Sequence, residues 1–232
     1  MMQAKTGIIG CILLWILSVS VAYSHEPSGS WNTEKLNTAA NSHYLSAFEK
    51  EVILEINKLR SDPVRYASEY ILPLKSLYNG RKLFYPGDLA LMTQEGVSAL
   101  NECIRFLEKQ QPVPLLTPDN GLSLAANDHV IDQSRSGRTG HKGGDHSGFR
   151  DRIERYGDWS VRIAENIAYG DVTPQQVVVY LLIDDGVPSR GHRTNFLNKD
   201  FRLVGVAEGS HPGYEKMCVM EFAAEFQNLS SR

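Results

Sequence analysis

The spacing of apolar residues changes partway along the chain, and that change limits the possible folds more than any single residue does. Leu45, Phe48, Val52, Ile56 and Leu59 recur at intervals of three and four, which lays one apolar stripe along a helix. Val97, Leu100, Ile104 and Leu107 repeat the pattern in a helix expected over 94–110, ended by Pro112 and Pro114. A third main helix is expected from about Gly121 to Ser136, closed by Gly137. Later the spacing shortens. Val161, Ile163 and Ile167 suggest a strand around Glu165-Asn166. Phe201–Ala207 and Met217–Phe222 read as two more strands, with Gly209–Gly213 as a hairpin turn. Helices first and strands late argue for an α+β layer structure with an antiparallel sheet.

Shorter elements fill the gaps. Asp62 can cap and Pro63 suits a first helical position, so a short helix is expected over Val64–Tyr70. Residues 71–92 carry Pro73, Asn79-Gly80 and Pro86-Gly87 and read as a long loop. Phe149–Tyr156 reads as a short amphipathic helix ending at Gly157. Val177–Ile183 has three valines, which favour strand. The cap at Thr173-Pro174-Gln175-Gln176 favours a buried helix instead.

The beginning of the chain reads as a targeting segment. Lys5 gives a positive start, Ile8–Val21 an apolar run, and Ala22-Tyr23-Ser24 a small-residue exit. That is the pattern of a secretory signal peptide over 1–24. The run falls short of the roughly 20 residues of a comfortable membrane span, although an uncleaved anchor is the alternative. Residues 25–43 are polar and read as a flexible leader, and 44–227 as one domain. Removing the signal leaves about 208 of 232 residues, enough for a sizeable core. The formal net charge is −3 and no Lys/Arg block occurs, which excludes the basic stripe that neutralises nucleic-acid phosphates. Cys103 and Cys218 remain after Cys11 leaves with the signal. Secretion permits a disulfide between them, but buried thiols are the favoured reading. Asn228-Leu229-Ser230 is a glycosylation sequon.

Four segments concentrate groups suited to acid–base or metal chemistry. They are Gly140-His141-Lys142-Gly143, Ala164-Glu165-Asn166-Ile167, Ile183-Asp184-Asp185-Gly186 and Gly191-His192-Arg193. Glu165 is the strongest signal, because a carboxylate in an otherwise apolar strand is costly to bury without a partner. His146 shares the glycine-rich loop with His141 and is either an added ligand or a solvated residue. Lys142, Arg150 and Arg152 read as a solvated face, with anion steering as the alternative. Asn166 and Asn195 read as structural, and His25, His43, His129 and His211 as surface or core residues.

Gly-His-Lys-Gly, Ala-Glu-Asn-Ile-Ala-Tyr-Gly, Gly-His-Arg-Thr-Asn-Phe-Leu and Phe-Arg-Leu-Val-Gly-Val-Ala occur in that order. Together they resemble the CAP superfamily, also called SCP/TAPS: the cysteine-rich secretory, antigen 5 and pathogenesis-related-1 proteins. The resemblance spans roughly Leu45–Phe226 and fits a microbial branch, since the multi-cysteine pattern of the animal and plant branches is missing. It implies an α-β-α sandwich with a central antiparallel sheet and a cleft formed by two histidines and two acids. Carried over by motif, these are His141, Glu165, Asp185 and His192. Asp185 replaces the family's usual Glu, and Asp184 is the fallback. His141 and His192 are the implied metal ligands, with zinc the foremost ion. Glu165 and His192 are the candidate catalytic groups if the chain is an enzyme. In an alternative reading, the acids only hold the histidines and no metal binds.

The expected function is a secreted or periplasmic binding module, taking a lipid, sterol-like or other amphipathic ligand, or a protein partner. No nucleic-acid partner is expected, and no transmembrane segment after the signal. A metal-dependent hydrolase or protease using the same cleft is one alternative, and a structural envelope or surface protein another. No His-Glu-x-x-His helix is present, and no elbow motif surrounds Ser189.

Overall fold

A computed structural model describes residues 29–87 and 89–229. The expected signal segment 1–24 and the serine of the sequon lie outside the described residues. Residues 32–229 belong to one compact unit.

The first half is helical for the reasons its pattern gives. After a short α1 (Thr33–Leu36) comes α2 (Ala47–Ser61), whose entry is a reciprocal cap. The Ser46 hydroxyl accepts from the Glu49 N–H, and Glu49 accepts from the Ser46 N–H at 2.7 Å, satisfying two otherwise unpaired donors. Asp62 caps α3 (Pro63–Tyr66), which runs on through a π-helical turn and a 3-10 turn to Leu77. The segment expected to be a leader joins the fold over its second half. Leu36 and Ala39 are buried, and Asn57 Nδ2 donates to the Leu36 carbonyl.

The expected loop over 71–92 holds a small three-stranded antiparallel sheet of β1 (Tyr78–Asn79), β2 (Lys82–Leu83) and β3 (Leu91–Met92). Strands this short carry no readable alternation. Then follow α4 (Val97–Leu107), β4 (Thr117–Pro118), α5 (Asn120–Ser136), α6 (Phe149–Glu154), β5 (Gly157–Tyr169), α7 (Pro174–Ile183), α8 (Gly191–Phe196), β6 (Leu203–His211) and β7 (Glu215–Asn228). Gly137 closes α5 in the left-handed conformation.

The main sheet runs β4-β6-β7-β5, antiparallel except for the two-residue β4, which lies parallel to β6. On one face, Leu122 and Ala125 of α5 and Ile153 of α6 pack against Ala223. Gly205 is required there, because a Cβ would stand 2.1 Å from the Leu122 backbone. On the other face Phe222 packs against Phe196 of α8 and Phe201, and α2 packs on β6 and α7. Each such buried side chain contributes about 1.5–3 kcal/mol. The chain is therefore an α+β sandwich of helix, sheet and helix layers. Among the described residues no helix is long and apolar enough to cross a membrane.

A bulge decides which way β5 faces. One extra residue between Ser160 and Ile163 shifts the register against β7. Val161 in that bulge has φ +68°, a conformation β-branched residues rarely take. Beyond it, Ile163, Glu165, Ile167 and Tyr169 turn towards α5 and α6.

Candidate functional site

Glu165 and Asn166 are successive strand residues, so their side chains leave opposite faces of β5. Each organises one histidine. On the α5 face, Glu165 Oε1 lies 2.7 Å from His141 Nδ1, and Arg152 Nη2 donates to Oε2 at 2.5 Å. On the other face, Asn166 Nδ2 donates to the His192 carbonyl, and Asn195 Nδ2 donates to Asn166 Oδ1.

The His141 pair has a buried foundation. Arg152 is 1% exposed, so the expectation of a solvated face is corrected for this residue. The reason is tertiary: α6 lies against the sheet, and its guanidinium reaches the strand carboxylates. Nη1 of the same group donates to the His141 and Ser147 carbonyls, which pins the glycine-rich loop. Glu221 lies opposite Glu165 in the register, with Arg152 Nη2 at 3.9 Å. Neither Glu221 oxygen has a hydrogen-bond partner among the protein groups described. Burial and the neighbouring Glu165 carboxylate push its pKa well above the usual carboxylate range. Burial alone would raise Glu165 too, but the His141 hydrogen bond and the Arg152 charge outweigh it and bring its pKa below the ordinary value. The two buried carboxyls facing one guanidinium are thus pushed apart, with Glu165 favoured as the anion and Glu221 as the acid form. His129 supports the same loop through Nε2, 2.8 Å from the Gly140 carbonyl. Burial and the Arg152 charge lower its pKa, favouring the neutral ring.

The His192 pair is built from a helix exit. Asp184 ends α7 at φ +58°, ψ +43°, a left-handed conformation that Asp tolerates. The turn swings its carboxylate towards α8. Oδ1 lies 2.6 Å from His192 Nδ1, and Oδ2 accepts from the His192 N–H at 3.0 Å. Asp185, the motif match for the second acid, points elsewhere. Its oxygens accept from the Gln94 and Glu95 N–H groups at 2.5 and 2.8 Å, holding the chain before α4. Asp184 is thus the acid that meets His192. Arg190 and Arg193 brace this corner through Glu95 and Glu102.

A cavity of about 310 Å³ opens between the small sheet, β5 and α7. Its walls are mainly apolar, with Leu83, Leu91, Met92, Ile167, Val177 and Leu181 among them, and Asp184, Asp185 and His192 also line it. His141 and Glu165 are not part of its lining. His146, Lys142 and Arg150 stand exposed. Cys103 and Cys218 are free thiols. Burial pushes Cys103 up to about 12 and raises Cys218 as well, so neither is a ready nucleophile.

The donor set gives a direct test of a resident metal. Among the described residues no group of three or more His, Cys, Asp or Glu is placed to hold an ion. Both histidines turn Nδ1 to a carboxylate, which leaves one ring nitrogen each, and both Glu165 oxygens are engaged. These side chains do not make a closed zinc site.

Sequence reasoning missed Glu221 and Arg152. Glu221 carried the same signal as Glu165, a carboxylate inside an apolar strand. Arg152 had none, because an amphipathic helix does not reveal what its polar face meets.

The sequence model of the cysteine-rich secretory protein family, CAP, matches residues 54–222. No curated protein matches the chain. Solved structures with some likeness include an extracellular protein containing an SCP domain from Bacillus anthracis str. Ames, 24% identical with a TM-score of 0.40. That match covers 49% of this chain and 35% of the other. An outer surface protein from Borrelia burgdorferi is 18% identical with a TM-score of 0.40, covering 53% and 86%. A cysteine-rich secretory protein from Staphylococcus aureus subsp. aureus Mu50 is 14% identical with a TM-score of 0.36, covering 56% and 38%.

Proposed function

The chain belongs to the cysteine-rich secretory protein (CAP) family, and from that premise we propose that it is a secreted binding module whose cavity takes an amphipathic ligand. The observation that carries this reading is the 310 Å³ cavity, apolar along most of its walls and lined also by the Asp184–His192 pair. Apolar walls with a few fixed polar groups are the usual form of a small-molecule site. An acyl or isoprenoid body would lie against Leu83, Leu181 and Ile167, with its polar end at His192. A divalent ion, zinc foremost, would find only Nε2 of His141 or of His192 and would bind weakly.

The Asp184–His192 pair also has the geometry of an oriented base, which favours a hydrolase as the second reading. Against it, the described lining of the cavity holds no Ser or Cys, and its hydroxyls belong to Thr93, Tyr78, Tyr169 and Tyr180. Burial, with the Asp185 charge, pushes Tyr78 up to about 12, which makes it a poor nucleophile.

The test is displacement of a fluorescent amphiphile from the purified protein and from Leu181→Trp, which fills the cavity. Saturable binding that the tryptophan abolishes, without ester or peptide turnover, is the expected result. Turnover lost on His192→Ala with folding intact would establish the hydrolase instead.

A further inference from the structure

The polar end of the cavity has a sign. Asp184 and Asp185 line it beside His192, and the described lining contains no Lys or Arg. The guanidiniums of Arg190 and Arg193, two residues that contact Asp184, are already committed. Arg190 donates to Glu95 and Glu102, and Arg193 to Glu102 and to the carbonyls of Leu182 and Ile183. An anionic head group entering here would meet two carboxylates and no free cation, and would lose its hydration without compensation.

Hydrogen-bond direction points the same way. Asp184 Oδ1 lies against His192 Nδ1, and in the tautomer whose Nδ1–H donates to it the ring offers Nε2 as an acceptor. Asp185 spends one lone pair of each oxygen on a backbone N–H, and carboxylate oxygens have further acceptor capacity. The cavity end therefore asks for a donor. Tyr78, Tyr169 and Tyr180 add aromatic surface to the lining, and aromatic faces attract cations.

We infer that the cavity selects a single-chain amphiphile headed by a protonated amine. The inference rests on the amphiphile reading above and adds the chemistry of the head group. The ammonium sits between His192 Nε2 and the Asp185 carboxylate, with the alkyl body against Leu181 and Ile167. A hydroxyl head supplies the donor without the charge, and a carboxylate supplies neither.

Decylamine, decanol and decanoate separate these terms, because they share one apolar body. Binding of each to the full chain would be measured by displacement of the fluorescent probe at neutral pH, below the concentration at which each aggregates. The expected order is decylamine, decanol, decanoate, with the amine at least about tenfold tighter than the acid, a factor equal to 1.4 kcal/mol. Added salt should weaken the amine and leave decanol unchanged. Asp185→Asn, which retains one acceptor oxygen, should narrow the ratio of decylamine to decanol affinity several-fold. Decanoate binding as tightly as decylamine would overturn the head-group inference and leave the amphiphile reading standing. An amine preference untouched by both salt and Asp185→Asn would also overturn it. If none of the three displaces the probe, the amphiphile reading falls and takes this inference with it. The salt series on the unmodified chain decides the matter even where the variant fails to fold.

Discussion

The two histidine–carboxylate pairs are alike in contact and different in foundation. His141 meets Glu165 at 2.7 Å and His192 meets Asp184 at 2.6 Å. Glu165 stands on a strand among buried titratable groups: Arg152, Glu221 and His129. Asp184 stands on a helix exit, satisfied by the ring and backbone of His192. The first pair is anchored by a charge network inside a packed layer, yet presents a ring that is 53% exposed. The second is anchored by local geometry, and its ring is 22% exposed and faces a cavity. Similar pairs thus carry different risks. Breaking the foundation of the first endangers the fold, and breaking the second endangers what the cavity holds.

The largest expected effect tests that difference directly. Arg152→Met leaves the Glu165 anion buried without its partner and should cost about 3–5 kcal/mol in urea unfolding. A cost under about 1 kcal/mol would mean the carboxyl layer is wetter than its burial indicates. Asp184→Ala should cost less, about 1–3 kcal/mol, because it strands one ring N–H and one backbone N–H at a partly open corner. It should also weaken probe binding, which Arg152→Met should spare in whatever fraction stays folded.

Glu221→Gln sharpens the comparison through pH. The folded pKa of Glu221 lies above its unfolded value. Its stabilisation is therefore fully present below the ordinary carboxyl pKa of about 4.3 and is lost as pH rises through the folded value. Each unit of that gap is worth about 1.4 kcal/mol. Glu221→Gln should flatten the fall in thermal midpoint over this window and raise stability at neutral pH. Parallel profiles for the two proteins would show that Glu221 is not a neutral acid. His141→Ala should have the smallest effect, about 0.5 kcal/mol, since it removes an exposed partner from a carboxylate that keeps Arg152. It should also leave probe binding unchanged, because His141 does not line the cavity.

Much of the fold was legible from spacing. The stripes at Val52, Ile56 and Leu59 and at Leu100, Ile104 and Leu107 mark α2 and α4, and Gly137 marks the end of α5. The three valines of Val177–Val179 left strand and helix in contention, and the cap at Thr173 pointed to the helix that forms. The small sheet over 78–92 was not legible, since two-residue strands have no period to read. In the candidate site, Glu165 stood out because a carboxylate in an apolar strand demands a partner.

The sequence by itself determined the helix and strand segments, the caps, and the carboxylates that cannot lie buried alone, because these depend on neighbours a few residues apart. Tertiary structure decided which of two adjacent aspartates meets His192, because one left-handed residue sets the direction of both side chains. It also decided that Arg152 is an internal cation and that the Glu221 carboxyl is pushed well above the usual carboxylate range. Those two properties depend on how closely charges from α6, β5 and β7 approach one another after packing has excluded water, and separation along the chain carries no record of that distance.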